Sequence, residues 1–150
     1  MTNSNNSLTP RSIPKAVWAG MAVALIGFAD AFYLTLSHYQ NKIPPCTVGG
    51  CETVLTSPYA TIGPIPISLV GVLYYAAVLG CLVLFFQFGG PKWLPMWRGA
   101  STIAFLVTLI LVSLQLFVIH AICLYCMASA ILATTLFVLS LYANKIPKTA

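Results

Sequence analysis

Four long apolar runs dominate this sequence and restrict the folds that it can adopt. They cover approximately residues 16–36, 67–88, 99–120 and 122–142. A helix needs roughly 20 apolar residues to cross a bilayer core of about 30 Å, and each run is long enough. Hydrophobic residues make up 59% of the chain and charged residues only 6%, which is too few for an ordinary soluble surface. We therefore predict an all-α integral membrane protein, a four-helix bundle.

The basic residues are distributed unevenly among the segments that connect these runs. Six lie before the first run, between the second and third, or after the fourth: Arg11, Lys15, Lys92, Arg98, Lys145 and Lys148. By the positive-inside rule, both termini are expected in the cytoplasm and the loop between the first two helices outside it. The net charge of +5 then reflects membrane topology and requires no nucleic-acid partner.

The apolar runs also define the expected domain organisation. Residues 1–15 are rich in Asn, Ser and Thr, which is typical of a disordered tail, here on the cytoplasmic side. Residues 16–142 form one membrane domain, and residues 143–150 form a second cytoplasmic tail. The first run continues beyond Ala29-Asp30-Ala31, which imitates a signal-peptidase site, so it is too long for a cleaved signal.

A Cys-x-x-Cys pair, Cys123 and Cys126, lies where the third apolar run gives way to the fourth. Thiols three residues apart share one face of a helix, and the first turn of a helix presents unpaired N–H groups with a partial positive charge. That environment favours the thiolate, which is the form that attacks disulfides. The pair therefore predicts thiol–disulfide chemistry.

A second pair, Cys46 and Cys51, lies in the segment between the first and second runs. Gly49 and Gly50 permit a backbone reversal that brings the two cysteines within disulfide range. Closing this short loop would stabilise the fold by only roughly 2 kcal/mol, whereas a bridge from the loop to Cys123 would contribute roughly twice as much. The sequence does not decide between these two disulfides. A cysteine pair that can form either of them is suited to disulfide exchange.

Two connecting segments carry turn signals. After the second cysteine pair we predict a short helix capped by Ser57, and the prolines of residues 63–66 predict a structured return into the bilayer that can close over a pocket. Between the second and third runs we predict a cytoplasmic loop over residues 89–98, with Trp93 and Trp97 as anchors at the membrane interface.

Few polar residues lie inside the apolar runs. Asp30 is the only acidic one, and we weigh equally a functional role, such as a proton relay, and a plain hydrogen bond or contact with water. We interpret Gln115 as a residue that hydrogen-bonds between helices and Cys81 as a packing residue. His38 and His120, near the predicted outer interface, could transfer protons, but we interpret them as ordinary interfacial residues.

The cysteine pattern and its surroundings resemble the vitamin K epoxide reductase family. The resemblance rests on both cysteine pairs and on Ser57, six residues after Cys51. Three stretches are similar to bacterial members: residues 33–38, 51–60 and 65–75. A lone Cys-x-x-Cys is a weak signal, whereas two pairs with this serine in a chain of four apolar runs are a strong one.

The resemblance implies a quinone-dependent thiol oxidoreductase that generates disulfides, with ubiquinone or menaquinone bound in a pocket at the outer side of the bundle. It implies that Cys126 delivers electrons to the quinone and that Cys123 exchanges disulfides with Cys51. Cys46 would face the outside partner, and Ser57 matches the family serine that helps to hold the quinone.

The same resemblance implies a partner and a location. The expected partner is a separate thioredoxin-like thiol oxidase of the DsbA type, because the chain stops soon after the fourth run. The expected location is the bacterial inner membrane, where a multi-pass protein would face the periplasm or exterior with its active site.

Three other classes stay open. A four-helix quinone-linked oxidase of the DsbB type shares the chemistry but places both cysteine pairs in outer loops, unlike the pair at the head of the fourth run. Four cysteines can bind a metal, although the sequence has no paired Cys-x-x-Cys spacing. The third class is a non-enzymatic membrane packing or transport protein with static disulfides.

Overall fold

The computed structural model describes residues 15–47, 49–89 and 92–145, without the side chains of the last two. Most of the tail predicted at the N-terminus therefore lies outside the described residues, as does the chain beyond residue 145. In chain order the elements are α1 (Lys15–Tyr39), α2 (Cys51–Leu55), a 3₁₀ turn (Pro58–Ala60), β1 (Thr61–Ile62), β2 (Ile65–Pro66), α3 (Ile67–Phe88), α4 (Trp93–Ser113), a π-helical turn (Leu114–Ile119) and α5 (Leu124–Lys145).

Four of these helices are long and apolar enough to cross a membrane: α1, α3, α5, and α4 with its π-helical extension. α1 and α4 each pack against both α3 and α5, so the four helices form a ring with α1 and α4 diagonally opposite. Large apolar side chains such as Leu106, Ile110 and Ile131 are exposed on the outside of the ring. Such a surface is solvated by lipid, and the predicted all-α membrane bundle is confirmed.

The bundle packs around a face of small residues on α1. Four of them recur every three or four positions and are all buried: Gly20, Ala24, Gly27 and Ala31. This face lets aromatic rings from other helices approach the α1 backbone, and the rings of Trp97 and Tyr75 lie against Gly20 and Gly27 respectively. Close approach of helix backbones over small residues is the usual basis of packing in membranes.

The connection between the second and third spans differs from the prediction. α4 begins at Trp93, so most of the segment predicted as a loop is helical. Pro95 is compatible with this start because it lies in the first turn, where a backbone N–H has no partner within the helix. Trp97 is fully buried against Gly20 and Leu82. The ring of Trp97 therefore packs inside the bundle beside a glycine and does not face the lipid, as an interfacial anchor usually does.

The loop between α1 and α3 is structured, as predicted. Its disulfide between Cys46 and Cys51 closes the turn that precedes α2. β1 and β2 then pair antiparallel, with Ile62 opposite Ile65, and Gly63 makes the connecting turn with a φ of 63°. This positive φ suits glycine, which has no Cβ to clash. The hairpin leads straight into α3 and fixes how the chain re-enters the bundle.

Gly27→Ala tests the close packing of α1 on α3. A Cβ at this position would overlap the ring of Tyr75, so we expect the free energy of unfolding to fall by about 1–3 kcal/mol, as for other overpacked cores. Gly80→Ala is the matched control, because a Cβ there meets nothing within 4 Å. Denaturant titration of the detergent-solubilised protein measures both. Equal stability of the two variants would contradict this account of the packing.

Candidate functional site

The two cysteine pairs lie at the same end of the bundle. Cys51 and Cys123 are fully buried and share one apolar cluster with Val54. Cys46 and Cys126 are partly buried and pack against that cluster. All four sulfur-bearing side chains predicted as site residues are therefore brought together, with the buried member of each pair at the centre.

Two contacts dock residues 40–66, the loop between α1 and α3, onto the start of α5; we call it the outer loop after its predicted side of the membrane. The backbones of Gly50 and Ile122 approach so closely that a Cβ on Gly50 would overlap the Ile122 carbonyl oxygen and lie 2.8 Å from its amide nitrogen. The hydroxyl of Tyr125 donates a hydrogen bond of 3.1 Å to the carbonyl oxygen of Pro45. Since these contacts flank both cysteine pairs, they hold the loop disulfide beside Cys123.

Of the two bridges that the sequence left open, the structure contains the local one. Cys46 and Cys51 form a disulfide with their Cα atoms 6.0 Å apart, whereas Cys123 and Cys126 are free thiols. Cys81 is also a free thiol, and it packs against the core cluster of the bundle. The outer pair is thus oxidised while the pair at α5 is reduced.

The position of Cys123 just before α5 favours its thiolate. The backbone N–H of Cys126 donates to the Cys123 sulfur at 3.4 Å. The pKa of Cys123 is lowered from its ordinary 9.0 to about 7, chiefly because the Cys126 side chain hydrogen-bonds to the sulfur. Burial opposes this shift, backbone N–H groups of Cys126 and Tyr125 add to it, and the Asp30 carboxylate opposes it. This thiol is therefore ionised to a larger extent near neutral pH than an ordinary cysteine.

Gln115 shapes the turn that leads into Cys123. Its side chain is buried, and its Oε1 accepts the backbone N–H of Cys123 at 3.1 Å. Its backbone carbonyl accepts the N–H of Ala121 at 3.2 Å and that of His120, which adopts the left-handed conformation with a φ of 53°. Single π-helical turns such as this one are frequent at functional sites.

This role of Gln115 was not predicted from the sequence, which favoured a hydrogen bond between helices. The side chain instead bonds the backbone that precedes α5, eight residues along the chain. The available signal was an isolated amide in an apolar run shortly before a Cys-x-x-Cys pair. That signal becomes specific only once the π-helical turn is known.

A cavity of about 860 Å³ lies inside the bundle next to the cysteines. Its wall includes Cys126 and Ser57, whereas Cys123 lies towards the outer loop in contact with the Cys51 cluster. Much of the remaining wall is apolar and includes Leu34, Val54, Val70, Val107, Leu111 and Ile119. Its volume is within the range of about 300–1,000 Å³ that is typical of small-molecule sites.

Polar side chains interrupt the apolar wall of the cavity, and hydrogen bonds hold several of them in place. The Ser57 hydroxyl donates to the carbonyl oxygen of Val54 at 2.7 Å, so it precedes the 3₁₀ turn without capping it through its side chain. The hydroxyl of Tyr75 lies 3.1 Å from both the carbonyl oxygen and the hydroxyl of Ser129. His38 also lines the cavity, on the side of the outer loop.

Asp30 lies close to this site from α1. It interacts electrostatically with Tyr75, Cys123 and Cys126. Its Oδ2 is buried and has no hydrogen-bond partner in the part of the chain that the structure describes. This carboxyl oxygen is therefore not used to bond a described residue of a neighbouring helix, and the relay of protons stays a hypothesis for it.

A comparison with protein families agrees with this geometry. The model of the vitamin K epoxide reductase family matches residues 18–141, which include all four helices of the bundle almost completely. A search of curated proteins finds no match. Among the described residues, no three His, Cys, Asp or Glu side chains are grouped to hold a metal ion. The chain belongs to the vitamin K epoxide reductase family, and it is a multi-pass membrane thiol oxidoreductase.

Proposed function

We propose that this protein oxidises the thiols of a thioredoxin-like partner of the DsbA type and passes the electrons to ubiquinone or menaquinone. It would do so in a bacterial inner membrane, with its active site facing the periplasm or exterior. One observation carries the proposal: Cys126 lines a large, mostly apolar cavity, while its neighbour Cys123 packs with the buried cysteine of the outer disulfide. Such an arrangement connects a surface thiol pair to a membrane pocket.

The cavity suits a quinone. A quinone has a flat ring with two carbonyl acceptors and a long apolar tail, and this mostly apolar wall also carries hydroxyl and amide groups that can donate hydrogen bonds. Ser57, which is similar to the serine that holds the quinone in related proteins, lies on that wall. When bound, the quinone accepts two electrons and two protons and becomes a hydroquinone. The protein's own residues supply the remaining steps.

Electrons would enter at the outer disulfide. A thiolate of the partner attacks the Cys46 sulfur, which forms a mixed disulfide and releases Cys51 as a thiolate. The partner's second thiol then attacks its own half of the mixed disulfide, so that Cys46 is released and the partner leaves oxidised. Cys46 is the accessible end of this bridge, because Cys51 is fully buried and Cys46 only partly so.

The inner steps repeat the same exchange within the protein. The Cys51 thiolate attacks Cys123 of an oxidised inner pair, which releases Cys126 beside the cavity, and Cys46 then resolves the bond between Cys51 and Cys123. The lowered pKa of Cys123 favours that resolution, because thiols of low pKa leave faster. The result is the state in the structure, an outer disulfide with inner thiols.

Quinone reduction tests the function directly. With a reduced thioredoxin-like oxidase, the purified protein should reduce ubiquinone-1 or menadione and form one disulfide per quinone. Cys126→Ser should slow turnover by about a thousandfold or more, as removal of a reacting group does, and Cys81→Ala should leave it unchanged. Absorbance of the quinone and titration of thiols measure both. If no quinone is consumed, the disulfides are static and the proposal fails.

The order of the outer cysteines predicts which variant captures the partner. In Cys51→Ala the partner's thiol can be held at Cys46 as a long-lived mixed disulfide once the outer bridge is absent. Non-reducing electrophoresis after oxidation of the two proteins together should show this species with Cys51→Ala and little of it with Cys46→Ala. Accumulation in Cys46→Ala instead would reverse the proposed order.

The pKa of Cys123 predicts how its ionisation changes with pH. Because a thiolate absorbs more strongly in the ultraviolet than a thiol, the absorbance difference between wild type and Cys123→Ser should increase with pH around a midpoint of about 7. Cys126→Ala removes the main group that lowers this pKa, so the midpoint should move up; Asp30→Asn removes a group that raises it, so the midpoint should move down. Ultraviolet titration of each protein against its own Cys123→Ser counterpart gives the midpoints. A midpoint that is the same in Cys126→Ala and wild type would contradict the assigned cause.

A further inference from the structure

Within the described part of the protein, the side-chain amide of Gln115 forms a hydrogen bond through its oxygen but not through its nitrogen. Its Oε1 accepts the backbone N–H of Cys123, and an N–H can be satisfied only by the oxygen of the amide, so the orientation of the group is determined. Its Nε2 carries two N–H donors, and neither bonds to any residue that the structure describes. Two strong donors are therefore available on the other side of the amide.

These donors are not sealed inside the protein. Gln115 forms part of the wall of the 860 Å³ cavity, which Cys126 also lines. Among described residues, the side-chain atoms that are buried without a partner are Asp30 Oδ2 and Trp97 Nε1, and Gln115 Nε2 is not one of them. The amide nitrogen is thus accessible from the cavity, while its oxygen is committed to Cys123.

We propose that Gln115 binds the quinone through its Nε2, which donates a hydrogen bond to a carbonyl oxygen of the ring, while its Oε1 holds Cys123 in place. The inference rests on the proposed function and adds a binding residue to the same site. One planar amide then contacts both the electron acceptor and the backbone of a reacting cysteine. Gln115 therefore sets the position of the quinone relative to the Cys123–Cys126 pair.

The chemistry of the transfer explains why a donor is useful here. The S–H bonds of Cys123 and Cys126 break, an S–S bond forms, two electrons pass to the quinone, and the two thiol protons end on its two oxygens. Negative charge grows on the carbonyl oxygens as electrons arrive, and a fixed N–H donor in an apolar cavity stabilises that charge. The bond from the amide oxygen to Cys123 also polarises the amide, which strengthens its N–H donors.

Gln115→Glu distinguishes the acceptor role of the amide oxygen from the donor role of the amide nitrogen. The carboxylate keeps an acceptor for Cys123 but loses both donors, so the KM for ubiquinone-1 or menadione should rise by about tenfold, the loss expected for one hydrogen bond. Transfer from the reduced outer pair to an oxidised inner pair, measured without quinone, should stay within about threefold of wild type, since the acceptor remains. Gln87→Glu, an identical change on an exposed part of α3 outside the cavity wall, is the matched control.

A second measurement uses the wild-type protein and needs no turnover. The chain has three glutamines, Gln40, Gln87 and Gln115, so ¹⁵N-glutamine labelling gives three side-chain amides to follow by NMR. Titration with ubiquinone-1 or menadione should shift the Nε2 signals of Gln115 and leave those of the other two in place. Gln87→Glu assigns its own signal, and a paramagnetic reagent in solution identifies the exposed loop residue Gln40.

The outcomes separate this inference from the proposed function. If wild type reduces quinone, and if Gln115→Glu keeps the wild-type KM or no glutamine amide shifts on titration, the inference is wrong and the proposed function stands. If wild type reduces no quinone, the proposed function fails, and the titration still decides whether Gln115 contacts a quinone. A KM increase in Gln115→Glu with the expected NMR shift supports the inference.

Discussion

The contact between the Gly50 and Ile122 backbones determines where the sulfur atoms of this protein lie. A side chain on Gly50 would overlap Ile122, so the loop can seat itself on the head of α5 only with glycine at this position. The bond from Tyr125 to Pro45 supports the same contact from the other side. Without this backbone contact the loop disulfide would lie apart from Cys123, and the two cysteine pairs could not undergo disulfide exchange.

The helices below this contact form the wall of the cavity. Small residues on α1 allow the large rings of Tyr75 and Trp97 to pack inside, and Tyr75 is further tied to Ser129 across the bundle. Tyr75 thereby contributes to both the packing of the bundle and the wall of the cavity. The same α1 helix brings a carboxylate, Asp30, close to the cysteines in an apolar setting, where its charge acts over a longer distance than in water.

Much of this fold is predictable from apolar length and turn residues. α3 has the predicted bounds because Pro66 and a left-handed Gly89 delimit it, whereas the start of α4 was misplaced because Pro95 suits both a loop and a first helical turn. The choice between the local and the long disulfide depends on how the loop docks onto α5. The entropy of loop closure, which was the basis for comparing the two bridges from the sequence, carries no information about that docking. Similarly, the bond from Gln115 to Cys123 depends on a π-helical turn that hydrophobic periodicity does not signal.

The outer disulfide has one sulfur-bearing residue partly open to solvent, Cys46, and one fully enclosed, Cys51. A small reductant dissolved in the surroundings can therefore meet this bridge from one end alone, and it finds no direct route to Cys123, which is enclosed as well. A dissolved thiol that enters from the side of the loop must therefore react at Cys46 first, so the exposure of this one residue controls how fast the bridge can be reduced from that side.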